Sequence, residues 1–301
     1  MPEPLIISLF CISSCLLAYT IPAFALVSPA PANPLVSLAV WPSGKMPGAG
    51  AAEPEKEQPS KGDGVVRLTN VSEPNLTVYP APAPSRPTPA VIICPGGGYG
   101  ILAMNKEGSE IASWLNSLGI TGIVLKYRVP NNRDGALQDV QRAVRLVRSR
   151  SKDWNVDVSR IGVMGFSAGG HLSARLSTNY DTPAYPVVDA SDRLSCRPDF
   201  VVLVYPAYLN KEDKPAPELP ISSKTPPTLI IHSEDDKSFV PGSKIYDVAL
   251  KANHVPHEFQ LFATGGHGYG LRCEKDARVW PQRCQEWLTK ISVLPKPTKT
   301  E

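Results

Sequence analysis

No cluster of lysine and arginine stands out in this 301-residue chain, and its formal net charge is only +3. A nucleic-acid surface needs a dense basic face, so that class of partner is excluded. Cysteine is scarce, 6 in all, and no Cys/His spacing suggests a zinc site. Long apolar runs are lacking except near the amino terminus, and there serines break the run from Leu5 to Ala25, which is too short for a membrane span. No internal repeat is visible. What the chain does have is 42% hydrophobic against 20% charged residues, enough for one large globular domain or two small ones. It also has 32 prolines, many of them in the first 90 positions.

The segment Leu5 to Ala25 ends in Ala23-Phe24-Ala25, an A-x-A pattern that reads as a secretory signal peptide over residues 1–25. It departs from the usual pattern in carrying Glu3 and no Lys or Arg before the apolar core. Ile12-Ser13-Ser14-Cys15 loosely resembles a lipoprotein cleavage box, so the export expectation, periplasmic or secreted, carries a lipid anchor at Cys15 as its alternative. Beyond the leader remain Cys94, Cys196, Cys273 and Cys284. In an exported chain either Cys273 and Cys284 pair locally or all four are free, with Cys94 a small buried hydrophobe. Residues 26–61 are rich in Pro, Ala and Gly and cannot bury enough apolar surface alone, which predicts a tether or surface-hugging arm. The main domain is then expected over 62–294, with a tail at 295–301. Asn70-Val71-Ser72 and Asn75-Leu76-Thr77 match glycosylation sequons by pattern.

Val65–Leu68 and Leu76–Tyr79 read as short strands joined by a polar turn. After Pro80 to Pro89, apolar runs suited to strands alternate with helical spacing. Strands are expected at Ala90–Cys94, Thr121–Lys126, Ile161–Met164, Phe200–Tyr205, Pro227–His232 and His257–Phe262. Helices are expected at Lys106–Leu118, Gly135–Lys152, after the serine at 167, and at Pro241–Ala252 and Ala277–Ile291. This alternation predicts an α/β fold with a mostly parallel sheet covered on both faces, linked by right-handed crossovers.

The run Gly165-Phe166-Ser167-Ala168-Gly169 has the G-x-S-x-G spacing, between the strand Ile161–Met164 and a helix-like segment. Its two glycines let the backbone reverse, so that Ser167 would project above the sheet at the positive end of the next helix. A serine hydroxyl is a poor nucleophile until a base, itself oriented by a carboxylate, takes its proton; on this architecture the chain order is Ser, Asp/Glu, His. Of the five histidines, His267 alone lies in a glycine-rich loop after the last strand, Gly265-Gly266-His267-Gly268, and is the expected base. His171 sits on the elbow helix, His232 ends a strand, and His254 and His257 flank the start of the last strand. The acid is expected after Pro227–His232, where Asp236 is preferred to Asp235. Cys94-Pro95-Gly96-Gly97-Gly98-Tyr99 follows another strand, where such folds carry a glycine loop for the oxyanion. Gly97, Gly98 and the N–H of Ala168 are the expected donors, with the register among the glycines open by one. A phosphate cradle is disfavoured, because the loop lacks the Lys-Ser/Thr of a P-loop and the spacing of a dinucleotide fingerprint. Tyr99 and Tyr208 either line the cleft or pack beneath it. The stretch Pro206 to Pro226 is too short for a lipase-like lid, which favours a soluble substrate over a membrane.

From about Ala39 to Leu294 the chain resembles the exported bacterial α/β-hydrolase esterases of the acetyl-xylan-esterase and feruloyl-esterase-like group. The carrying segments are Val40-Trp41-Pro42-Ser43-Gly44-Lys45-Met46-Pro47-Gly48, Leu76-Thr77-Val78-Tyr79, Pro95-Gly96-Gly97-Gly98-Tyr99, Lys126-Tyr127-Arg128, Gly165 to Leu172 and Gly265-Gly266-His267-Gly268. The resemblance implies an α/β-hydrolase fold with an eight-stranded sheet and no large lid domain. It also implies hydrolysis of small acyl esters, often acetyl groups on polysaccharides, through an acyl-serine and with no cofactor or metal. The loop Asp236 to Val240 departs from the group by one residue, which keeps Asp235 in play. Alternative readings are a peptidase of the prolyl-oligopeptidase type and an inactive carbohydrate-binding protein in which Ser167 is only a turn residue.

Overall fold

The computed structural model describes Met1, residues 36–82 and residues 86–296. The segment read as a signal peptide, apart from Met1, as well as Cys15 and the end of the tail, lies outside the described residues. Eight strands form the central sheet: β1 (Val36–Ala39), β2 (Asn75–Tyr79), β3 (Thr88–Cys94), β4 (Thr121–Lys126), β5 (Val156–Phe166), β6 (Phe200–Val204), β7 (Thr228–Ser233) and β8 (His257–Phe262). Their spatial order is β1-β2-β4-β3-β5-β6-β7-β8. The β1/β2 and β2/β4 pairs are antiparallel and the remaining pairs parallel.

The central strands are continuously apolar because both faces of the sheet are covered. Alternate residues serve opposite layers. Ala90, Ile92 and Cys94 of β3 join one core with helices α2 (Arg133–Ser149), α3 (Ala168–Asn179) and α4 (Val240–Ala252). Val91 and Ile93 join the other, with α1 (Glu110–Ser117) and α5 (Trp280–Lys290). Helix starts follow local chemistry: the Asn132 side chain accepts the Gly135 N–H at the entry of α2, and prolines open α4 and α5, where a missing N–H costs nothing. The helical pattern from Lys106 is broken: Asn105–Ser109 forms a π-helical turn before α1.

The structure sharpens three sequence expectations. Arg67–Thr69 and β2 follow one another across the polar turn but belong to different sheets: Arg67–Thr69 pairs with Lys56–Glu57 and Leu102–Ala103 in a separate three-stranded sheet. Of tether and surface-hugging arm, the described part of the proline-rich segment takes the second form. It supplies β1, buries Val40 and Trp41, and is anchored where Trp41 Nε1 donates to Asp139 Oδ1 at 2.7 Å and Arg142 Nε donates to the Val40 carbonyl at 2.6 Å. The domain therefore extends amino-terminally well beyond residue 62, because two apolar anchors outweigh the surrounding composition. Of the two cysteine readings the structure takes the second: Cys94, Cys196, Cys273 and Cys284 are all free. Cys284 points into the core beneath α5 while Cys273 lies half-buried in the preceding loop, so the local pair does not form.

Candidate active site

The site lies at the carboxyl ends of β3, β5, β7 and β8. Ser167 follows β5 directly at φ 52° and ψ −117°, a conformation L side chains rarely adopt, and its carbonyl accepts the His171 N–H in the first turn of α3. The flanking glycines are required by contact. A Cβ at Gly165 would lie 2.0 Å from the Gly169 carbonyl oxygen, and one at Gly169 would lie 2.0 Å from that of Cys94.

Ser167, His267 and Asp236 form one hydrogen-bonded line. The distance from Ser167 Oγ to His267 Nε2 is 2.7 Å, and from His267 Nδ1 to Asp236 Oδ2 it is 2.6 Å. An ionised Asp236 can only accept, so Nδ1 carries the proton and Nε2 is left to accept from the serine hydroxyl. Burial pushes the Asp236 carboxyl upward, but hydrogen bonds from His232 and His267 outweigh it and hold the group below its ordinary value. Asp235 has a different place. Its carboxylate accepts the N–H groups of Gly265 at 3.0 Å and Gly266 at 2.8 Å, anchoring the loop that carries His267.

The glycine turn after β3 packs directly on Ser167: a Cβ at Gly96 would lie 2.8 Å from Ser167 Cβ. The Gly96 N–H donates to Glu107 Oε2 at 2.7 Å. Among the described residues, the N–H groups of Gly97, Gly98 and Ala168 have no intramolecular acceptor and remain free to donate. Gly97, at φ 139°, has no room for a side chain, since its Cβ would lie 2.2 Å from the Ile101 carbonyl oxygen.

The two tyrosine candidates separate. Tyr99 is 1% exposed and does not line a cleft; its hydroxyl meets His171 Nδ1 at 2.8 Å and ties the glycine turn to α3. Burial drives the His171 imidazole down to about 4, against the opposing influence of Glu218, whose Oε1 lies 3.2 Å from Nε2. Tyr208 is half-buried beside Gly98 and edge-on to Phe239 at 5.6 Å, and Phe239 lies 4.9 Å from the His267 ring. The Arg133 guanidinium rests 4.7 Å from the Tyr208 ring centre. Phe239 and Arg133 escape notice in the sequence because neither has a motif. His232 stands four residues before Asp236 at a strand end; it is fully buried, with Nε2 2.9 Å from Asp236 Oδ2 and Nδ1 2.7 Å from Ser243 Oγ. His232, Asp236 and His267 offer ligand atoms within 4.8 Å of one another, a spacing that could hold a cation. Here both histidines instead direct a ring nitrogen at the carboxylate.

A serine on a strained strand-to-helix turn, with a histidine and aspartate following it in chain order on this eight-stranded sheet, defines an α/β-hydrolase. Residues 76–196 match the BD-FAE family model. The chain is 34% identical over 204 residues to an acetylxylan esterase of Xylanibacter ruminicola, a match covering 60% of this chain and 41% of that relative. The chain thus spans less than half the length of that longer protein. The crystal structure of an acetyl ester-xyloside bifunctional hydrolase from Caldicellulosiruptor lactoaceticus is 34% identical with a TM-score of 0.71, covering 90% of this chain and all of that one. A thermophilic esterase of the Planctomycetes species Thermogutta terrifontis shares the fold at 22% identity and a TM-score of 0.65, covering 85% and 96% of the two chains. The chain belongs to the acetyl-xylan-esterase-like α/β-hydrolases.

Proposed function

We propose that this protein is a serine carboxylic-ester hydrolase that removes short acyl groups, acetyl above all, from xylan-type polysaccharide or xylo-oligosaccharide. The observation that carries the reading is the unbroken line from Ser167 Oγ through His267 to Asp236, set beside free N–H donors on Gly97, Gly98 and Ala168. In this mechanism His267 Nε2 takes the serine proton as Oγ attacks the ester carbonyl, and Asp236 stabilises the imidazolium. The three N–H groups receive the oxyanion, a contribution that strengthens as charge develops on that oxygen. His267 then protonates the departing alcohol. In the second half it activates water, which releases the acyl group as a carboxylic acid and restores Ser167.

Support for the acetyl-xylan substrate comes from the names of the two relatives at 34% identity. The connection between β6 and β7 supports access for a soluble substrate: Leu209, Ala216 and Leu219 are buried within it, so it packs down instead of arching over the site. Export, to the periplasm or the medium, is part of the proposal and rests on the leader-like segment ending at Ala25. A fluorophosphonate probe should label wild-type protein and not Ser167→Ala. Turnover of p-nitrophenyl esters should fall from acetate to octanoate, and acetylated xylan should release acetate; faster cleavage of octanoate would remove the deacetylase reading.

A further inference from the structure

Glu107 is a carboxylic acid buried beside the nucleophile to which the triad and its donors assign no task. It is 3% exposed and sits in the π-helical turn before α1. Its hydrogen-bond partners, the Gly96 N–H and the Tyr205 hydroxyl, are uncharged. Burying a carboxyl without a counter-ion is unfavourable and pushes its protonation upward, so the group persists only where its hydrogen bonds offset the cost. Those bonds reach both halves of the candidate site. Oε2 accepts the Gly96 N–H at 2.7 Å, at the residue preceding the two free glycine donors. Oε1 accepts the Tyr205 hydroxyl at 2.9 Å. The same hydroxyl oxygen accepts the Gly270 N–H at 2.8 Å, in the loop that carries His267. The Tyr205 ring, fully buried, also lies 5.1 Å from the His267 ring.

We propose that Glu107, acting through Gly96 on one side and Tyr205 and Gly270 on the other, is a positioning residue that holds the oxyanion turn and the histidine loop in one frame. The proposal rests on the esterase reading. Its chemistry is economical: a carboxylate has two acceptor oxygens, and here each is committed to a different catalytic segment. If Gly96 N–H lost this acceptor, the turn could rotate and carry the Gly97 and Gly98 donors away from the position of the oxyanion. The ground-state ester, which lacks the full negative charge on its carbonyl oxygen, would be affected less.

The test compares wild type, Glu107→Gln and Tyr205→Phe with p-nitrophenyl acetate, each rate normalised to active sites titrated with a fluorophosphonate. The expected result is a kcat loss of roughly tenfold or more in Glu107→Gln and a smaller loss in Tyr205→Phe, with KM within about twofold. Affinity for a boronic acid, which forms a tetrahedral adduct on Ser167, should fall in proportion to kcat/KM across the three proteins. A merely structural role would lower the number of titratable sites and leave kcat per site and boronate affinity unchanged, and that result overturns the proposal. If Glu107→Gln does not fold, Tyr205→Phe decides alone, because it keeps the buried carboxyl and breaks only the tie to the histidine loop. A wild type that neither takes the probe nor cleaves the ester sinks the esterase reading itself, and this proposal with it.

Discussion

His232 and His267 converge on a single oxygen: a ring nitrogen of each faces Asp236 Oδ2, at 2.9 Å and 2.6 Å. The two histidines have different surroundings. His267 is partly open to solvent and reaches Ser167, whereas His232 is fully buried and locked by Ser243 at 2.7 Å. Because an ionised Asp236 can only accept, His232 carries a proton on Nε2 and donates it there, which in the neutral ring leaves Nδ1 to accept from the Ser243 hydroxyl. The carboxylate thus receives two donors on one oxygen, and its direction is fixed before His267 takes up a proton.

Replacing His232 by Leu removes one of those donors and leaves the Ser243 hydroxyl without its acceptor. Steady-state kinetics on p-nitrophenyl acetate should show kcat/KM reduced by roughly ten- to a hundredfold through misorientation of the acid. His232→Gln, whose amide can still donate to Asp236, should recover much of the loss. Equal activity in Leu and Gln variants would mean that the hydrogen bond to Asp236 contributes nothing to catalysis.

The neighbouring acids should separate by size of effect. Asp236→Asn offers His267 an amide in place of a carboxylate, so the imidazole loses both its tautomer and the partner for its positive charge, and kcat should drop by roughly 10³-fold or more. Asp235→Asn weakens acceptors for the N–H groups of Gly265 and Gly266 and loosens the loop without touching the proton path. Its cost should stay near or below about a hundredfold. The reverse ranking in parallel assays would reassign the acid.

His171 makes a prediction about stability and pH. Its unfolded imidazole titrates at 6.5, and burial lowers it to about 4 in the folded chain. At pH 7.5 it is neutral in both states. Between 6.5 and 4 only the unfolded chain takes up the proton, so stability is present above this window and is lost as pH falls through it. By pH 5 the loss through this one group is about 2 kcal/mol. Urea unfolding at pH 7.5 and pH 5 should show a smaller drop for His171→Gln than for wild type. Identical drops would place the acid sensitivity elsewhere, Glu218 being the carboxylate in contact with the ring.

How much was legible in the sequence follows from the range of the interactions. Gly165 and Gly169 announce the elbow because the contacts that forbid a Cβ there are largely made within the turn and the strand beside it. His267 stands out among five histidines by its glycine loop alone. Asp235 and Asp236 could not be ranked firmly from neighbours so alike, since what separates them is burial and the direction of each side chain, set by α4 and the histidine loop. Glu107 reads as one charge in a helical stretch; its burial depends on Gly96, Tyr205 and Gly270, up to 163 positions away by residue number. The π-helical turn that presents it was equally invisible, because the helical spacing continues through it.

The proline-rich arm offers the clearest disagreement between composition and contact. Trp41 is 6% exposed, donates to Asp139 and lies under the Arg142 guanidinium at 5.1 Å. Asp139 in turn forms a fully buried ion pair with Arg128 at 2.8 Å, so the arm covers a charge pair that water would otherwise reach. Trp41→Ala should therefore cost about 3–5 kcal/mol, combining lost aromatic burial with an exposed pair. Glu55→Ala, which removes only the ion pair to the mostly buried Lys126, should cost about 1 kcal/mol or less because Glu55 itself is partly solvated. Chemical denaturation of both variants measures the difference. An arm that merely tethers the domain would leave both midpoints at the wild-type value, whereas an arm that forms part of the domain shifts the Trp41 midpoint and barely moves the Glu55 one.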